Sequence, residues 1–166
     1  MERSIGAVSF GCGERDMRLL GLYSFDNEKD PFINYGLTFG LKLPTGDYRV
    51  RNADGTAAER SLQPGSGSTD LILGGFYAAP GITADSSWWI QGLVQQAMQT
   101  KDGFRPGTQH QLNFGYRHPL TESVQGLLQV NTLIKARDSG TNAEPELSGS
   151  KTIFLSPGLS CSITRR

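Results

Sequence analysis

The most regular pattern along this chain is an alternation of period two. In QHQLNFGYRHPL, residues 109–120, Gln109, Gln111, Asn113, Gly115 and Arg117 fall on one side, and Leu112, Phe114 and Tyr116 on the other. Successive side chains of a strand point to opposite faces, so this spacing predicts one two-faced β-strand. The same reading predicts seven strands, over 16–25, 33–43, 69–79, 86–99, 109–118, 123–136 and 151–162. Helical periodicity is weak everywhere. Several of these segments reach about 10 residues, beyond the usual ~5–6 of soluble sheets and matching what a tilted strand needs to cross a bilayer.

In the second segment Ile33, Tyr35, Leu37, Phe39 and Leu41 oppose Asn34, Gly36, Thr38, Gly40 and Lys42. The fourth opposes Trp88, Ile90 and Val94 to Gln91, Leu93 and Gln95, and the sixth opposes Val124, Leu128, Val130 and Ile134 to Gln125, Gln129, Asn131 and Lys135. The third and seventh have mixed faces. A soluble sheet turns its polar face to water and its apolar face to a core. A transmembrane barrel is turned inside out, with lipid on the apolar side. Polar faces made of amides and glycines, with few carboxylates, suit a crowded, partly wet interior better than a solvated surface. The expected lumen-lining set is therefore Lys42, Gln91, Gln95, Gln111, Asn113, Arg117, Gln125, Gln129, Asn131 and Lys135, with Arg137 nearby. These residues either line a passage for polar or anionic solutes or fill a narrow interior.

The connections alternate in length. Those over 44–68, 100–108 and 137–150 are long and polar, whereas 26–32, 80–85 and 119–122 are short. Outer-membrane barrels have this asymmetry, with long outer loops and tight periplasmic turns. Aromatic residues gather near strand ends (Phe25, Phe32, Tyr35, Tyr48, Tyr77, Trp88, Trp89, Phe104 and Tyr116), as in the girdles that anchor at headgroup level.

Composition sharpens this picture. Apolar residues make up 37% of 166, low for a soluble domain, and many of the 21 glycines lie inside the strand-like stretches, where they signal curvature or close packing. No window approaches the ~20 apolar residues of a membrane helix, which does not bear on barrels. Lys plus Arg and Asp plus Glu are 16 each, so charge points to neither nucleic acid nor an anionic surface. The start, MERSIGAVSFGCGERD, shows no secretory signal and is expected to be irregular over residues 1–15, with the barrel segment over 16–166. Cys12 and Cys161 read as two unrelated thiols, with a disulfide as the alternative in an oxidising compartment.

The runs INYGLTFGLKLPTGDYRV, LQPGSGSTDLILGGFY, DGFRPG, LLQVNTLIKARDSG and LSPGL, in that order over residues 16 to 160, resemble the bacterial outer-membrane barrel family named for the meta-cleavage pathway of phenol degradation. The resemblance implies an antiparallel up-and-down barrel in the outer membrane, with lipid around it, an amide-lined interior and a transporter role for a small solute of unspecified kind. Members of that family are longer, begin with a cleaved signal and end in further strands. Against them this chain looks truncated at both ends, so the expected fold is all-β, an antiparallel meander forming an incomplete transmembrane barrel.

No catalytic constellation stands out, and an enzyme is not expected. Neither H-E-x-x-H, C-x-x-C, G-x-S-x-G nor a phosphate-binding G-x-x-x-x-G-K occurs, and no cofactor or metal is expected. His110 and His118 read as surface or turn residues on the apolar side. GSGS at 65–68 reads as a flexible loop end, Asp102 and Gly103 as a turn, and the loop carboxylates Asp47, Asp54, Glu59, Asp138, Glu144 and Glu146 as solvated charges. The alternative is a soluble β-sandwich or open-barrel binding module that uses Trp88 and Trp89 for carbohydrate. Adjacent strand residues point to opposite faces, however, so the two tryptophans cannot form one stacking platform.

Overall fold

The computed structural model describes residues 5–10, 16–25, 27, 30–51, 53–56, 63–83 and 85–162, with side chains from Asp16 onward. The described chain is all-β, an antiparallel meander without a helix. Its strands are β1 (Ile5–Phe10), β2 (Met17–Phe25), β3 (Asn34–Leu43), β4 (Ser68–Pro80), β5 (Ser87–Thr100), β6 (Phe104–Arg105), β7 (Gln109–Pro119), β8 (Val124–Lys135), β9 (Ser139–Gly140) and β10 (Ser150–Cys161). Seven long strands follow one another in the order β2-β3-β4-β5-β7-β8-β10, and β1 adds an eighth beyond β2. Residues 5–10, expected to be irregular, are thus a strand, and the strand count becomes even. No second sheet packs against this one among the described residues. The two-residue ribbon β6–β9 joins two loops, so a sandwich is not the architecture adopted.

The sheet curls without closing. Arg18 of β2, Lys42 of β3, Asp70 of β4, Gln95 of β5, Gln109 of β7 and Lys135 of β8 line one cavity, which requires six consecutive strands to bend around it. β1 and β10 are its two edges. Glycines permit the bend. A Cβ at Gly36 would lie 2.0 Å from the Tyr23 carbonyl oxygen and one at Gly74 2.1 Å from that of Gly92, so any larger residue would push neighbouring backbone apart. Also toward the short turns, a Cβ at Gly115 would lie 2.3 Å from Trp89 Nε1, because the indole lies across that position.

The register settles the faces. Arg18↔Lys42↔Asp70 and Gln91↔Asn113↔Asn131 run across the concave side, whereas Leu19↔Leu41↔Leu71 and Phe25↔Tyr35↔Tyr77 run across the convex side. A register shift between Thr69 and Asp70 places one extra residue, Met98, in the facing strand β5, so β4 itself alternates without a break. The mixed pattern of β4 comes from Ile72 and Phe76, which share the concave side with Asp70.

Burial is inverted relative to a soluble fold. The buried hydrophobic residues are Ile72, Ala97 and Phe104, whereas Thr38, Lys42, Ser68, Asp70, Ser86, Gln95 and Asp138 are buried although polar or charged. Leu37, Phe39, Leu73, Leu112, Phe114, Leu128, Ile153 and Leu155 are exposed, Leu37 to 51% and Ile153 to 72%.

Candidate functional site on the concave face

The predicted lumen set lies on this concave face. Gln95, Gln109 and Lys135 form one transverse row, Gln91, Asn113 and Asn131 another, and Gln129, Gln125 and Arg117 follow toward the short turns. Asn113 Nδ2 donates to Gln91 Oε1 at 3.4 Å. Gln111 stands opposite Leu93 and Leu133, so aliphatic side chains interrupt the amides.

Lys42 is not the free lumen charge that the sequence suggests. It is buried, and its Nζ lies 2.9 Å from Asp70 Oδ2 and 3.3 Å from Asp16 Oδ2. It also donates to Ser66 Oγ, and to Ser68 Oγ at 3.1 Å. Ser68 donates in turn to Asp70 Oδ1 at 2.6 Å, and Gln95 Nε2 to Asp70 Oδ2 at 2.6 Å. Asp16 accepts from the Ser66 hydroxyl at 2.6 Å, from the Ser66 backbone N–H at 2.9 Å and from the Gly46 N–H at 3.2 Å. Burial works against the Asp16 charge, but the Ser66 bonds, the Lys42 ammonium and the Gly46 N–H together hold its carboxyl below the usual carboxylate range. GSGS, expected to be a slack loop end, therefore supplies two hydroxyls to a buried ionic network.

Asp138, expected to be solvated, is buried. It pairs with Lys135 at 2.9 Å and accepts from the Gly107 N–H at 2.7 Å. Arg137 lies outside β8 and is exposed. Of the other loop carboxylates, Glu144 and Glu146 are exposed, Asp47 accepts from the Arg49 N–H at 2.9 Å, and Glu59 lies outside the described residues. Among the described residues no cluster of His, Cys, Asp and Glu fits a metal ion. Cys161 is free and exposed, and Cys12 lies outside the described residues.

These residues enclose a polar cavity of 370 Å³ beneath the long loops. Phe104, expected in a surface girdle, is instead buried and lines it with Pro106. Asp102 and Gly103 both have positive φ, 58° and 70°, as a tight Asp-Gly turn requires, and that turn delivers Phe104 inward. Arg49 forks onto Asp102 at 2.8 and 3.2 Å, while β6 pairs with β9, so all three long loops are tied together over this end. A smaller hollow of 110 Å³ adjoins below, lined by Arg18, Leu20, Ile72, Leu93, Gln95, Gln109 and Gln111. Arg117 lines a wider hollow of 690 Å³ at the short-turn end, together with Trp88, Trp89 and Ser86.

On the convex side Tyr23, Phe25, Tyr35, Tyr77, Trp88 and Phe114 form a continuous aromatic row, with neighbouring ring centroids 5.2 to 6.4 Å apart. It crosses five strands near the short turns.

No family model matches the chain, and no curated protein does.

Proposed function

We propose that this chain is the wall of an outer-membrane β-barrel, a non-enzymatic channel or transporter for small polar solutes, of the kind its resemblance to the phenol meta-cleavage barrel family suggests. The inverted burial carries the proposal: lysine, aspartate, serine and glutamine lie inside while leucine, isoleucine and phenylalanine face outward on strand after strand. In water that convex surface far exceeds the few hundred Å² of apolar patch usual on a soluble monomer. Each half-exposed Leu or Phe forgoes roughly 1–2 kcal/mol of burial at about 25 cal/mol per Å². In hydrocarbon the same surface is satisfied.

Dimensions agree. The convex residues of β3 from Tyr35 to Leu43 span roughly 26 Å of strand, about 20 Å of height at the usual tilt, near the ~25 Å apolar band of such barrels. The aromatic row would mark one headgroup level and the tied loops the opposite mouth. In lipid both sheet edges need partners, since each unpaired backbone group costs several kcal/mol. Closure of the sheet, alone or with further strands, would supply them. Transport would be passive: amides in successive rows exchange hydrogen bonds with a solute, and Phe104 under the tied loops restricts entry.

Gel mobility of the chain refolded in detergent, boiled against unboiled, tests this. A heat-dependent shift is expected, because a closed barrel resists the gel's detergent until heated. A chain that purifies from water without detergent and shows no shift would overturn the membrane assignment.

A further inference from the structure

Resting on the barrel-wall reading, we infer that Arg18 with the adjoining aliphatic hollow binds a short organic monocarboxylate. The concave face carries four strand-borne cations near its cavities: Arg18, Lys42, Arg117 and Lys135. Lys42 is neutralised by Asp16 and Asp70, and Lys135 by Asp138. Arg18 is exposed at the cavity mouth and faces Lys42 across the β2–β3 register, and it makes no hydrogen bond or ion pair with any described residue. Two cations placed opposite each other repel. With both aspartates hydrogen-bonded within the Lys42 network, the exposed Arg18 guanidinium keeps its donors open to an incoming anion.

The surroundings select the anion. Arg18, Gln95 and Gln109 line both the 370 Å³ cavity and the 110 Å³ hollow, so the guanidinium stands where the two meet. The hollow adds the aliphatic side chains of Leu20, Ile72 and Leu93, and the amide of Gln111. A guanidinium fork matches a carboxylate with two parallel bonds, and the aliphatic wall suits a short hydrocarbon tail. At about 30 Å³ per water the hollow holds the volume of roughly four waters, enough for the tail of butyrate. The Asp16–Lys42–Asp70 network, one negative charge in excess, keeps the binding weak, as a transit site requires.

The test uses the full chain refolded into detergent and inserted in lipid vesicles, titrated with butyrate, butyramide and inorganic phosphate while binding is followed by saturation-transfer NMR. Butyrate should bind at least tenfold more tightly than butyramide. Arg18→Gln should erase that preference, Arg18→Lys keep part of it, and the loop variant Arg49→Gln leave it unchanged. Should Arg18→Gln fail to refold, Leu93→Gln, which retains every charge, should weaken butyrate and spare phosphate. An inserted chain that binds butyrate and butyramide equally overturns the carboxylate site and leaves the barrel intact. Phosphate competing as well as butyrate overturns the organic-acid assignment in favour of a general anion site. A chain that never inserts removes the barrel reading and this inference with it.

Discussion

The two ends of the same strands are held by different chemistry. Beneath the long loops the concave face carries a buried ionic network, with Lys42 between Asp16 and Asp70 and Lys135 on Asp138, and the loops above are cross-linked by Arg49, Asp102 and the β6–β9 ribbon. Toward the short turns the interior polar contacts thin to Asn113 on Gln91, while the convex face gains its aromatic row. Cohesion thus passes from inside to outside along each strand. One end depends on charges shielded from water, the other on rings suited to a boundary between water and hydrocarbon.

The comparison breaks hardest at the ionic end. Lys42→Met strands two aspartates and should cost about 3–5 kcal/mol in urea unfolding of the refolded chain, the usual penalty for removing one partner of a buried pair. A loss under about 1 kcal/mol would mean that the network is already water-filled. Next comes the convex face midway between the ends. Leu37→Arg should cost roughly 2–4 kcal/mol in vesicles, but stay within about 0.5 kcal/mol if that face meets water, because Leu37 has no core to disturb. At the aromatic end Trp88→Ala removes contacts at 5.4 Å to Tyr77 and 6.4 Å to Phe114, and should cost about 1–3 kcal/mol, larger in vesicles than in detergent.

Acid should weaken the ionic end through Asp16. The folded pKa of Asp16 lies below its ordinary value of 3.8, so its contribution is full above that value and lost as the pH falls through the lower, folded one. Unfolding midpoints measured between pH 5 and pH 2 at roughly unit intervals should fall more steeply for the parent chain than for Asp16→Asn. The smallest expected effect is at the surface. Arg49→Ala should leave the midpoint unmoved, since its bridge to Asp102 is exposed.

Most of the sheet was legible because period two needs only local sequence. All seven expected strands occur with boundaries within one residue, and their loops are the expected long and short ones. β1 was missed because IGAVSF is short and offers no clean alternation. The ionic network was missed for a different reason. Lys42 meets Asp70 only through strand register and meets Asp16 only when residues 65–66 fold back, so no spacing announces either pair. Asp138 and Phe104 read as loop residues, and loops give no period from which to infer that they turn inward. Arg18 was overlooked because its place where two cavities meet, without a partner among the described residues, depends on what its neighbours have already bound.

Pro157 lies within β10, opposite Leu128, in a strand whose other side is open. A proline nitrogen has no proton to give, and within a sheet it is tolerated where that nitrogen faces away from the ladder. The open margin of the sheet therefore has a gap in its row of donors, between the outward-facing Leu155 and Leu159. Edge-to-edge stacking into fibrils needs an unbroken row, so this one ring closure guards the open edge against amyloid growth.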